Sequence, residues 1–251
     1  MTMKKYIKII ATLVLAVLLM ISLYVLASEI WGMRQNRKAI EKVYETMESA
    51  GTAEDVTEEA ADGWTERYRA LAEENGDLFG WIHIAGTDID LPVMYSPDDP
   101  SYYLKHNFWK KWSDYGTPFL DGNCEPGVSN NYVIYGHNMK NGTMFAQLHE
   151  YESEEFWKEH PYIQFDTLTE QGTYEIFAVF HFDIDNEDYF FNAHVNMSEM
   201  EVREFVDEAS ARQLYDIGIE PEYGEQFLTL CTCDKTYRNG RFFVIAKKVA
   251  S

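Results

Sequence analysis

The sequence predicts a mainly β fold, a closed or nearly closed barrel preceded by helices, and three observations point that way. Eight short apolar runs, each bounded by Gly, Pro, Asn or Asp, fill the stretch from residue 80 to residue 249. Helical patterns interrupt them too rarely for the alternating rhythm of a parallel α/β sheet. No repeat of about 20 to 50 residues is visible.

Taken in order, the first element is Tyr6 to Ala27, an apolar run whose only charge is Lys8. At about 1.5 Å per residue it spans roughly 30 Å of hydrocarbon. It is longer than the apolar core of a signal peptide, and no Ala-x-Ala site follows it. An uncleaved transmembrane anchor over 6–27, after a cytoplasmic stub over 1–5, is therefore expected. Lys4, Lys5 and Lys8 before the span are matched by Arg34, Arg37, Lys38 and Lys42 after it, so loop charge does not decide the orientation. A short stub needs no export and long domains translocate largely regardless of charge, which puts the body outside the cell in a single-pass protein of the cell membrane.

Trp31 to Met47 is charged and helix-prone, and Gly51 to Asp62 is small and acidic. With the helical segment Trp64 to Glu74, which stops at Asn75-Gly76, they predict a stalk and an N-terminal helix over 28–70. The barrel domain would then occupy 71–251. Its strands are expected at Gly80 to Ile84, Ile89 to Tyr95, Thr117 to Leu120, Tyr132 to Tyr135, Ile163 to Asp166, Thr173 to Phe182, Phe227 to Cys233 and Phe242 to Val249. Helical patterns fall at Met144 to Leu148, Ser153 to Glu159 and Ser198 to Leu214, the last opened by Ser198 and Glu201 as a capping box.

Composition narrows the function classes. With 46% hydrophobic and 15% aromatic residues, the chain of 251 residues can bury a sizeable core, so disorder throughout is excluded. The net charge is −21, and setting aside the +3 of Lys4, Lys5 and Lys8 leaves −24 on the body, which would repel nucleic acid. Three cysteines, Cys124, Cys231 and Cys233, are an odd number for an oxidising space, so at least one thiol stays free. Cys231 and Cys233 are too close along a strand to bridge without strain, and no structural disulfide is expected.

Three residues stand where chemistry could occur. Cys233 ends an apolar strand and opens into the polar loop 234–240, although a lone cysteine is usually a small buried hydrophobe. His137, in Tyr-Gly-His-Asn, likewise sits where a strand runs into a polar loop, a position where histidines are mostly just solvated. Arg241 opens the last strand, and a hairpin would return its guanidinium to the thiol, although arginines there are mostly edge charges. Together they supply a nucleophile, a proton carrier and a fixed cation for acyl transfer from a peptide.

With those residues in view the chain resembles a class B sortase. Thr229-Leu230-Cys231-Thr232-Cys233 fits the family's Thr-Leu-x-Thr-Cys signature, and Arg241 falls where the family's arginine opens the final strand. Gly80-Trp81-Ile82, Ile89 to Val93, Tyr102-Tyr103-Leu104 with His106-Asn107-Phe108, and Ile134 to Met139 with Met144-Phe145 are similar to class B sequences in matching order. The resemblance implies an eight-stranded sortase-type β-barrel, N-terminal helices and a helical insertion before the penultimate strand.

It also implies the reaction. Cys233 would attack the carbonyl of a Thr in a C-terminal sorting motif of a surface protein, and the thioester would pass to an amine of peptidoglycan or its lipid-linked precursor. His137 would exchange protons, and Arg241 would hold the motif and the oxyanion. Thr232, Asn107, Tyr189 and Phe191 would line the substrate site. Asp234 reads as a loop carboxylate, because the family relies on arginine. No cofactor and no required metal are expected, since Cys231 and Cys233 lack Cys-x-x-Cys spacing and Asp183 to Asp188 forms no EF-hand loop. The competing readings are a pilin-polymerising enzyme, a hydrolytic cysteine peptidase, and a surface binding module in which the three residues are structural.

Overall fold

The structure is a computed structural model that describes residues 3–51, 63–186 and 188–249. Its strands are β1 (Leu78–His83), β2 (Asp90–Met94), β3 (Phe119–Leu120), β4 (Asn131–Tyr135), β5 (Tyr162–Thr167), β6 (Thr173–Asp183), β7 (Phe227–Asp234) and β8 (Gly240–Lys248). They close into a barrel in the order β1-β2-β3-β4-β7-β8-β6-β5, with β5 returning to β1. All eight expected strands are present, displaced by one or two residues at their ends.

Side-chain alternation separates two cores. Leu228 and Leu230 of β7 and Phe242, Val244 and Ala246 of β8 point into the barrel. Phe227 and Cys231 of β7 and Phe243 and Ile245 of β8 point outward, with Phe180 and Phe182 of β6, and are covered by α4 (Glu199–Arg212). This helix is the insertion between β6 and the penultimate strand, and the Ser198–Glu201 capping box forms at its start. A short helix, α3 (Glu154–Glu159), starts at Ser153, whose side chain accepts the Phe156 N–H.

At the N-terminus, α1 (Met3–Gly51) runs without a break and is followed by α2 (Gly63–Glu74). The expectation of a stalk over Trp31 to Met47 is corrected here: that part of α1 packs against α2, the barrel and its loops. Val43 is fully buried with Tyr68, Leu71, Trp81 and Phe108. The Trp109 indole N–H donates to the Ala39 carbonyl at 2.9 Å, Lys42 sits over the Trp109 ring, and the Tyr44 hydroxyl donates to the Asp90 carbonyl at 2.7 Å. Burying an apolar stripe stabilises the attachment by about 1.5–3 kcal/mol per large side chain, which a free-standing stalk would forgo. The acidic stretch Gly51 to Asp62 lies, apart from Gly51, outside the described residues.

Candidate active site

Cys233 and Arg241 are direct cross-strand partners in the antiparallel β7–β8 ladder, so their side chains stand on the same face. That face is the outer one, and α4 covers it only as far as Cys231. Cys233 lies just past the cover and is exposed, whereas Cys231 and Cys124 are buried. Burial pushes the thiols of Cys231 and Cys124 up to about 12, Cys231 against the opposing pull of the Arg241 charge. All three cysteines are free. A thiol-alkylating reagent is therefore expected to add one adduct to the native protein, on Cys233, and three after unfolding, read by intact mass.

His137 is brought in by the parallel pairing of β4 with β7. The register sets Tyr135 beside Cys231, and the Gly136 N–H donates to the Cys231 carbonyl at 3.2 Å. β4 ends at Tyr135, and the residues on either side of His137 are both bonded to β7: the Gly136 carbonyl accepts from the Thr232 hydroxyl at 2.7 Å, and the Asn138 side chain donates to the Cys233 carbonyl at 2.8 Å. The His137 Nε2 is 2.8 Å from the Leu104 carbonyl, which can only accept, so Nε2 carries the proton and Nδ1 is left for proton exchange. Gly136 is required by its neighbour: a Cβ there would stand 2.4 Å from the Phe145 ring.

Asn138 holds the Cys233 backbone and His149 holds Asn138, and sequence reasoning assigned neither a role. Asn138 Nδ2 donates to the Cys233 carbonyl at 2.8 Å and also to His149 Nε2 at 3.0 Å. His149 Nδ1 meets Glu152 at 2.8 Å, and its ring stacks on Phe242. Asn138 was legible as part of the Gly-His-Asn match; the fold-back of 145–152 that delivers His149 was not. Losing one hydrogen bond to a confined carbonyl costs about 1.4 kcal/mol, so Asn138→Ala is expected to lower kcat about tenfold, measured by steady-state turnover, with KM little changed.

On the inner face, Asp234 accepts from His181 Nδ1 at 2.8 Å and from the Thr236 N–H and hydroxyl at 3.0 Å each. Burial alone would raise this carboxyl, but the Thr236 N–H, His181 and the Thr236 hydroxyl outweigh it and hold it below the ordinary range. Asp234 thus points away from the Cys233 face and ties β7 to β6. A depressed carboxyl contributes stability above its unfolded value near 4 and loses it as pH falls through the folded value. Asp234→Asn is expected to cost on the order of 1–3 kcal/mol at neutral pH, with the difference shrinking below about pH 4, read by denaturant melts across pH.

The expected substrate-site residues divide. Thr232 is corrected: it is 2% exposed, faces the opposite side of β7 from Cys233, and its hydroxyl donates to the Gly136 carbonyl at 2.7 Å. It fastens the His137 strand to the Cys233 strand. Phe191 is also corrected: it is fully buried among Phe180, Phe182, Phe205 and Phe243, beyond a substrate's reach. Asn107 accepts the N–H groups of Trp109 and Lys111, shaping a turn, and lines a groove against α1 that also includes Asn138. Tyr189 is half-buried beside the outer-face core, stacked on His194. Among the described residues no three His, Cys, Asp or Glu side chains gather into a metal-binding group.

Residues 82–249 match the Sortase domain family. Sortase B of Listeria monocytogenes is 32% identical over 185 residues, covering 72% of this chain and 73% of its own. The structure of Clostridium perfringens sortase B aligns with a TM-score of 0.65 at 31% identity, over 73% of this chain and all of its own. A Bacillus anthracis protein described as similar to sortase B aligns with a TM-score of 0.72 at 28% identity, over 86% of this chain and 96% of its own.

Proposed function

Since the chain belongs to the sortase family and is a class B sortase, a cysteine transpeptidase, we propose that Cys233 is its nucleophile, His137 its proton carrier and Arg241 its oxyanion partner. The observation that carries this reading is the one exposed thiol of the described chain, facing Arg241 across the β7–β8 ladder, with His137 two residues beyond the end of β4, the strand that pairs with β7.

In the proposed sequence the Cys233 thiol passes its proton to His137, and the resulting Sγ thiolate attacks the carbonyl carbon of the sorting motif's Thr. The negative charge that develops on the oxygen is met by the Arg241 guanidinium, fixed by its hydrogen bond to the Gly240 carbonyl at 2.9 Å. Collapse breaks the C–N bond, and the leaving amine takes a proton from His137, leaving a thioester on Sγ. An incoming amine of peptidoglycan or its lipid-linked precursor attacks that thioester and gives its proton to His137. The new amide departs and the thiolate is regenerated. No metal or cofactor enters any step.

Tyr6 to Ala27 acts as the membrane anchor in this reading, with the barrel on the extracellular side. Support comes from the length and apolar character of α1's first half, exposed throughout this stretch. Incubating the full chain in detergent with sorting-motif peptides, with and without triglycine or diaminopimelate, tests the reaction. A ligated product that requires the amine is expected; release of free acid at the same rate with or without amine would mark a peptidase instead.

A further inference from the structure

α1 is one unbroken helix from the anchor into the catalytic domain, so the height of the domain above the bilayer is set by where α1 meets it. The meeting begins at once. Residues from Ser28 to Asn36 form one wall of a groove of about 680 Å³, and Trp112 to Tyr115 with Asn138 to Asn141 form the other. Gly32 faces the Tyr115 ring, which a Cβ there would meet at 3.6 Å, and Asn36 is buried. These α1 residues lie one to nine positions beyond Ala27, which is at most about 14 Å along the helix axis. The loop that follows His137 therefore shares a groove with the first turns of α1 beyond Ala27.

The side chains near that groove suit a membrane surface. Trp31 and Trp112 are 66% and 69% exposed and flank a shared groove. Tyr24, also exposed, stands two helical turns before Trp31 on the same side of α1. Amphipathic rings of this kind favour the membrane–water boundary. Arg34, Lys38, Lys111 and Lys140 have no ion-pair partner among the described residues, although the body as a whole carries −24. Glu29 lies in the same groove, and Asp114 there is paired with Lys105. Each unpaired cation near an anionic surface contributes about 1 kcal/mol of attraction.

We propose that the face bearing Trp31, Trp112, Lys111 and Lys140 seats on the headgroups of the bilayer that holds α1, so that the catalytic loop works at the membrane surface. The inference rests on the reading of Tyr6 to Ala27 as an anchor. The test places the photo-crosslinker p-benzoylphenylalanine at one position at a time in the full chain, reconstituted in nanodiscs containing phosphatidylglycerol. Trp112 reports the face, Tyr24 the anchor, and exposed Met200 on α4 a region away from α1. Lipid adducts by mass at Tyr24 and Trp112 but not at Met200 are expected. The Trp112 adduct is expected to fall several-fold when Lys111→Glu and Lys140→Glu are combined. An adduct at Tyr24 without one at Trp112 overturns the seated face and leaves the anchor standing. No adduct at Tyr24 overturns the anchor reading and this proposal with it.

Discussion

Cys233→Ala is expected to abolish amine-dependent ligation, by about 10⁴-fold or more, while the protein remains folded. Removing a nucleophile deletes the covalent pathway rather than weakening it, and the loss in comparable sites is of that order. No other thiol can substitute. Cys231 shares the strand face but is buried with its thiol pushed up to about 12, and Cys124 is buried in the barrel core. Because Cys233 is exposed, loss of its Sγ creates no cavity, and the stability change is expected within about 0.5 kcal/mol. Product formation by mass and thermal melting of the variant, run side by side, check both halves. Amine-dependent product persisting in this variant would return the site to the binding-module reading.

Arg241 carries the second large effect. Arg241→Ala is expected to lower kcat by about 10²–10³, the usual cost of removing one preorganised oxyanion donor. Arg241→Lys should recover only part of it, because an ammonium keeps the charge but loses the planar fork that lets one nitrogen hold the Gly240 carbonyl while another faces the substrate. Single-turnover acylation with a sorting-motif peptide separates this from binding. Alkylation of Cys233 by a small reagent should continue in both variants. Unchanged acylation in Arg241→Ala would make the residue an ordinary edge charge.

Much of this architecture was legible because strands and turns are local. Short apolar runs bounded by Gly, Pro, Asn and Asp located all eight strands, and the Ser198–Glu201 spacing located the start of α4. Cys233, His137 and Arg241 each sit where a strand meets a polar loop, which a chain of letters displays. Which face a residue takes was legible in principle too: Thr232 is one residue from Cys233 and so points to the opposite side. What stayed hidden depends on long-range placement. His149 reaches Asn138 only because residues 145–152 fold back under β8, and Phe191 is sealed by α4, which lies further along the chain. The attachment of α1 was masked by its many charged residues, which conceal the stripe containing Val43.

The side-by-side placement of β4 and β7 has a kinetic consequence. Asn138 and Cys233 are 95 residues apart in the chain, and everything that joins them is a non-local pairing. Such contacts carry a large loop-closure entropy and form late, after local hairpins and helices. A chain that has folded β7 and β8 into a hairpin already has its thiol beside its arginine, but it has no histidine until the barrel closes. Incomplete folding therefore leaves Cys233 without the β4 end that bears His137, and the whole site arrives together with the native state.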